Sequence, residues 1–186
     1  MLLTKTHHRF SVDDYDRMIA TGILTENDRV EMIRGEILDK MPIGDPHIAC
    51  VNRLNRLFSR LLGDDAIVSI QNPIRLNDSE PEPDVALLRP KEDFYSSGKP
   101  EQKDLLLVIE VAESSLDFDR DIKAPLYAEA GIAEFWIIDL GQSRLEVRRQ
   151  PHSDGTYGEV VIYERNQHVE LAAFPTVSIA VEAFLP

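Results

Sequence analysis

The sequence predicts a single domain of mixed α/β (α+β) class, and three features carry that prediction. The 186 residues amount to one domain's worth of chain. Leu105 to Ala112, LLLVIEVA, is apolar on both of its alternating faces, as in a central strand covered from both sides. From Pro46 to Leu62 the apolar residues Ile48, Val51, Leu54, Phe58 and Leu61 recur at three and four, the spacing of an amphipathic helix. No repeat, linker or low-complexity tract divides the chain, so strands and helices share one mixed sheet. A chain of this size buries roughly 70% of the surface its unfolded form exposes. It needs no metal to hold together, and a metal here would serve function.

The elements follow in order. Ser11 with Asp14 three residues on resembles a capping box, and Val12, Tyr15 and Ile19 keep helical spacing up to Gly22, so residues 12–20 form a short helix. Arg29 to Lys40 holds two apolar-rich runs punctuated by Arg34-Gly35, a β-hairpin with Glu31 inside its first strand. In the long helix Arg53, Arg56 and Arg60 fall opposite the apolar stripe, while His47 in its first turn projects inward beside Val51 and Phe58. Strands are expected at 66–76, interrupted at Pro73, at 83–88 and at 105–112, with a polar loop over 91–104. Residues 122–131 are helical in character, and 134–140, EFWIIDL, is another strand. Further β-like runs cover 144–149, 159–163, 168–171 and 176–181.

Composition sets limits on function. Asp and Glu number 33 against 20 Lys and Arg, a net charge of −13, so the mean field repels nucleic acid and any affinity for phosphates must come from local clusters. Arg53, Arg56 and Arg60 form one such cluster, and Arg144, Arg148 and Arg149 another. The longest nearly apolar stretch is far short of the ~20 residues of a membrane span. The start, MLLTKTHHRF, lacks the apolar core of a secretory signal, and the single Cys50 has no internal disulfide partner. A cytoplasmic location is expected. Cys50 and His47 read as a buried thiol and a core-facing imidazole, Phe135 and Trp136 as core, and His7-His8 as an exposed pair. No glycine-rich phosphate loop, G-x-S-x-G or zinc-finger spacing is present.

Glu110 is the most informative residue, because a carboxylate in the middle of LLLVIEVA is drawn out of water by its own strand. Such burial calls for a cationic side chain or a metal ion beside it, and the segment alone leaves both readings open. Asp84 begins the neighbouring run PDVALL, behind Pro81-Glu82-Pro83, whose prolines fix an extended entry. It reads either as a solvated strand-end acid or as half of a pair with Glu110. Two carboxylates at adjacent strand ends make a hard-oxygen site of the kind Mg²⁺ uses. Phosphodiester hydrolysis also wants a cation against the developing charge, and Lys123 is the candidate.

RVEMIRGEI, the DPH opening the long helix, PEPDVALL, LLLVIEVAESS and DRDIKAPLYAEAGIAEFWIIDL together resemble the Uma-two restriction endonuclease family of the PD-(D/E)xK nuclease superfamily. The resemblance spans nearly the whole chain. It implies one restriction-endonuclease-like domain over 1–186. An N-terminal helix and hairpin would occupy 1–45, an αβββαβ core 46–140 and extra C-terminal strands 141–186. It further implies a nuclease using Mg²⁺ or Mn²⁺ on DNA, with Asp84 and Glu110 as metal ligands, Lys123 as the cation, Glu31 and His47 completing the site, and Arg53, Arg56 and Arg60 on the nucleic acid. A homodimer is expected, since cutting both strands of a duplex is simplest with two sites. Two departures stand out. Ala112 occupies the superfamily's usual lysine position, so the basic group migrates to the following helix, where Lys123 lies with Asp119 before it and Tyr127 after it. Pro125 disfavours helical geometry at Ala124, so that helix is expected to begin at Pro125 and leave Lys123 on its lead-in. The other readings are a non-catalytic nuclease-fold binding or assembly module, and a metal-dependent phosphoesterase on RNA or a small substrate.

Overall fold

The computed structural model describes residues 7–186; the reading of the extreme amino terminus falls in part on residues 1–6, outside the described range. Helix α1 spans Val12–Ala20, and its capping box forms as expected: the Ser11 side chain accepts from the Asp14 N–H while Asp14 takes the Ser11 N–H. Strands β1, Val30–Ile33, and β2, Glu36–Asp39, make the hairpin. Arg34 and Gly35 both have positive φ, at 50° and 75°, the backbone of a type I′ turn whose twist suits a two-residue loop. A Cβ at Gly35 would stand 2.7 Å from the Phe10 carbonyl oxygen and 2.9 Å from Arg9 Cβ. Gly35→Ala is therefore expected to lower stability by about 1–3 kcal/mol, read as a lower urea midpoint at unchanged slope.

Helix α2 spans Asp45–Leu62 and buries His47, Cys50, Val51, Leu54, Phe58 and Leu62. Ile48 and Leu61, expected on the inner face, are exposed. The buried stripe includes His47, Cys50 and Leu62 instead. Strand β3 is only Ile67–Ile70, shorter than the expected 66–76: Gln71 takes φ 49° and Pro73 cannot donate to a ladder. Then come β4, Val85–Leu88, and β5, Leu105–Ala112.

The next helical segment, α3, runs Leu116–Phe118, widens to a π turn over Asp119–Lys123 and tightens again over Ala124–Glu129. It corrects the expectation that helix starts at Pro125. Ala124 is helical at φ −61°, ψ −47°, and its N–H reaches back five residues to the Asp119 carbonyl. The wider turn makes room for a proline that has no N–H to give and a ring that would crowd a tighter one. Lys123 is thus inside the helix.

Strands β6 (Glu134–Asp139), β7 (Arg144–Pro151) and β8 (Tyr157–Glu164) complete a six-stranded sheet in the order β3-β4-β5-β6-β7-β8. Every pair is antiparallel except β5–β6, which α3 connects. The run α2-β3-β4-β5-α3-β6 is the expected αβββαβ core, and β7 and β8 extend its sheet without a break. Strands β9, His168–Leu171, and β10, Phe174–Ala180, form a separate ribbon. Alternation along β5 divides the core. Leu107, Ile109 and Val111 pack with Cys50, Leu54 and Phe58 of α2 on one face, while Val108 and Ala112 pack with Leu126 and Tyr127 of α3 on the other. Phe135 and Trp136 are core, as read from the sequence. No described helix is long and apolar enough to cross a membrane.

Candidate functional site

Glu110 shares the α3-facing side of β5 with Val108 and Ala112, so it points at the helix and not at water. It is 3% exposed. Its Oε1 accepts from Lys123 Nζ at 3.0 Å and from the Tyr127 hydroxyl at 2.7 Å, two side chains four apart on α3. Of the two readings the strand left open, a lysine partner is therefore present. The other oxygen, Oε2, accepts no hydrogen bond among the described residues.

Asp84 immediately precedes β4, and the antiparallel register Val85↔Ile109 sets it beside Glu110. Its Oδ2 accepts the Val111 N–H at 2.8 Å and faces His47 Nε2 at 2.9 Å; its Oδ1 accepts from the Gln71 amide at 3.1 Å. His47 reaches it from the first turn of α2, and the other ring nitrogen, Nδ1, is buried without a partner among the described residues. Glu31, delivered by the hairpin, sets Oε1 3.3 Å from Lys123 Nζ and accepts the Glu82 N–H on Oε2. Asp119, buried on the π turn, accepts from the Ser115 hydroxyl at 2.6 Å. These side chains line one cleft of about 380 Å³.

The electrostatics follow from carboxylates gathered out of water. Burial pushes the Glu110 carboxyl up to about 8; Lys123 opposes the rise, and Asp119, Asp84 and Glu31 add to it. Burial likewise lifts Asp119 to about 6, against Lys123 and the Ser115 hydroxyl. For Asp84 burial also acts upward, but His47, the Val111 N–H and Gln71 together bring it below the usual value. Burial disfavours charge on Lys123 too, yet Glu110, Glu31 and Asp119 hold its ammonium above the normal range. A carboxyl raised from 4.5 to about 8 keeps its proton in the fold while the unfolded chain has lost it. Between those pH values the native state binds the extra proton, so stability falls as pH rises and levels off above about 8. Urea unfolding of chelator-treated protein from pH 5 to pH 9 is expected to show that decline, and Glu110→Gln to flatten it.

The residues predicted from sequence do not all meet here. Asp84, Glu110, Lys123, Glu31 and His47 share the cleft. Arg53, Arg56 and Arg60 are exposed but do not line it; Arg60 lies roughly 20 Å along the helix axis from His47, and Arg53 donates to the Leu185 carbonyl. The second expected basic patch is neutralised: Arg144 pairs with Asp139, Arg148 with Glu146 and Arg149 with Glu134. The β6–β7 register sets Arg144 and Arg149 directly opposite their acids, a pairing that linear sequence does not show. Sequence reasoning passed over Gln71, whose contact with Asp84 depends on the left-handed backbone before Pro73, and Phe118.

The donors fit a hard divalent cation in kind. All are carboxylate oxygens, the acids lining the cleft outnumber Lys123, and Glu110 Oε2 accepts no hydrogen bond among the described residues. Among the described residues no three His, Cys, Asp or Glu side chains are grouped to cage an ion. Mg²⁺ asks for less, commonly one or two acids with water and phosphate completing the shell.

The αβββαβ core thus brings Asp84, Glu110 and Lys123 into one cleft. Residues 12–182 match Uma2, described as "Putative restriction endonuclease", and the chain belongs to that nuclease family. A crystal structure described as a putative nuclease from Anabaena variabilis ATCC 29413 matches with TM-score 0.71 at 16% identity, over 94% of this chain and 97% of that one; likeness at this identity shows the shared fold. No curated protein matches the sequence.

Proposed function

We propose that the protein is a metal-dependent endonuclease that hydrolyses phosphodiester bonds of DNA in this cleft. The observation that carries the reading is the Lys123 ammonium, 3.0 Å from Glu110 at the cleft floor, with Asp84 set beside Glu110 by the strand register. Asp84 and Glu110 would hold Mg²⁺ or Mn²⁺, which when bound supplies a Lewis acid for the phosphoryl oxygens and lowers the pKa of water. Lys123, fixed between Glu110 and Glu31, directs its charge where negative charge grows in the transition state. Glu31 is a positioning residue for Lys123, as His47 and Gln71 are for Asp84. DNA offered both as duplex plasmid and as a single-stranded circle, with purified protein and Mg²⁺ or Mn²⁺ at low salt, is expected to be cut in at least one form, and a chelator to stop the cutting. Both forms left intact under every condition would overturn the reading.

One observation favours a second reading, a non-catalytic nuclease-fold module: Lys123 already partners Glu110, so the carboxylate is not bare. That reading expects no change in melting temperature on adding either cation.

A further inference from the structure

Beside its ionic floor the cleft has an apolar side that the proposed hydrolysis does not use. Residues 40–44 form a lip in which Met41 and Ile43 are exposed around Pro42. Both ends of the lip are tied to acids: Lys40 Nζ bonds Glu82 at 2.6 Å, and the Gly44 N–H donates to Glu113 at 3.2 Å. On the helical side, Phe118 is only partly buried and lines the same cleft, its ring centroid 6.0 Å from the Lys123 ammonium. The ring packs against the α3-side core and leaves only part of itself open to the cleft, and this close to the cation that would meet a phosphate that open part is placed to stack on a base.

The cleft's size restricts what can reach that floor. Lys123 is 5% exposed, and about 380 Å³ is near the small end of sites built for single small ligands. A paired duplex is a rod whose grooves alone are about 6–12 Å wide, and its backbone would rest on the rim above Glu82 and Glu113. Charge does not choose between the two forms but confines the contact: carboxylates in the cleft outnumber Arg29, Lys40 and Lys123, and the arginine stripe of α2 stands elsewhere, so no long basic track follows any backbone and only the nucleotide at Lys123 is held. An unpaired nucleotide can enter, bringing its phosphate to Lys123 and its base to Phe118.

We infer that the substrate class, on the nuclease reading above, is DNA with unpaired nucleotides, and that Phe118 and Ile43 hold the base of the nucleotide whose phosphate reaches Lys123. Stacking on one aromatic ring contributes roughly 1–3 kcal/mol per base.

The test separates binding from cutting. Fluorescence anisotropy in Ca²⁺, a hard cation that takes the same oxygen ligands, would compare a labelled 12-nucleotide single strand with a hairpin duplex of the same sequence. The single strand is expected to bind at least ~10-fold tighter. Phe118→Leu, which keeps the apolar packing without the aromatic face, is expected to weaken that binding about 10-fold, and Phe118→Trp to retain it. Equal or tighter binding of the duplex would overturn the inference, as would an unchanged Phe118→Leu. A free mononucleotide that competes as strongly as the strand would also overturn it, marking a site for a small phosphoester. Cutting in Mg²⁺ answers separately: a duplex bound and cut in preference rejects the inference and keeps the nuclease reading. A single strand bound through Phe118 but never cut does the reverse.

Discussion

Lys123→Ala is expected to lower the DNA cleavage rate by about 10²-fold or more while divalent-cation affinity stays nearly unchanged, because an electrostatic stabiliser acts chiefly in the transition state. The same variant loses stability. Lys123 is the shared partner of Glu110 and Glu31, and deleting one member of a buried ionic group typically costs ~3–5 kcal/mol. Glu110, raised to about 8, already keeps its proton near neutral pH, which limits that loss. Rates must therefore be referred to the folded fraction, read by circular dichroism at the assay temperature. Ala112→Lys in the same chain supplies the control, since residues 110 and 112 lie on one face of β5 and a lysine there returns a positive charge beside Glu110. Recovery of cleavage in Lys123→Ala/Ala112→Lys would establish the shared role. Full activity in Lys123→Ala alone would overturn it.

Glu110→Gln is expected to abolish the response to divalent cations. With a cation at about 100 times its dissociation constant, the wild-type fold gains roughly 2.7 kcal/mol, a rise of about 5–10 °C in melting temperature for a domain of this size. In Glu110→Gln that rise should vanish and cleavage with it. The metal-free variant should nonetheless be as stable as wild type near pH 7 and more stable at pH 9, because the carboxyl it replaces is the one that keeps its proton in the fold. Asp84→Asn makes the contrast. Asp84 is held ionised by His47, Gln71 and the Val111 N–H, so its metal-free fold should lose about 1–3 kcal/mol. Calorimetric melting with and without Mg²⁺ reads both variants, and a Glu110→Gln protein that still responds to Mg²⁺ would remove Glu110 from the ligand set.

The acidic surface need not defeat a nucleic-acid substrate, but it changes the expected salt response. A protein that neutralises many phosphates with Lys and Arg loses affinity steeply as salt rises. Here few cations border the cleft, so the salt slope should be shallow and the dependence on divalent cation strong.

Local pattern was enough to identify most elements and the central chemical tension. Ser11 and Asp14 specify the cap of α1, Arg34-Gly35 the hairpin turn, and the eight apolar-rich residues of β5 a strand buried on both faces with one carboxylate drawn in. Those features depend on neighbours a few residues apart, which is the range over which sequence spacing reports geometry. What lay beyond that range was decided by tertiary structure. The π turn that absorbs Pro125 turns Lys123 onto Glu110, and a backbone compromise of that kind has no spacing signature. Strand register paired Arg144 and Arg149 with acids of β6 and removed a basic patch that looked free along the chain. Tertiary packing left Ile48 and Leu61 in solvent, and the lip carrying Ile43 joined Phe118 across some 75 residues of chain to wall one cleft. The sequence alone determined which residue types had to be buried and in what order the core is built. Which charges meet, and what the cleft admits, depended on long-range packing, because an ion pair or a cavity wall is a relation between distant segments that no single segment encodes.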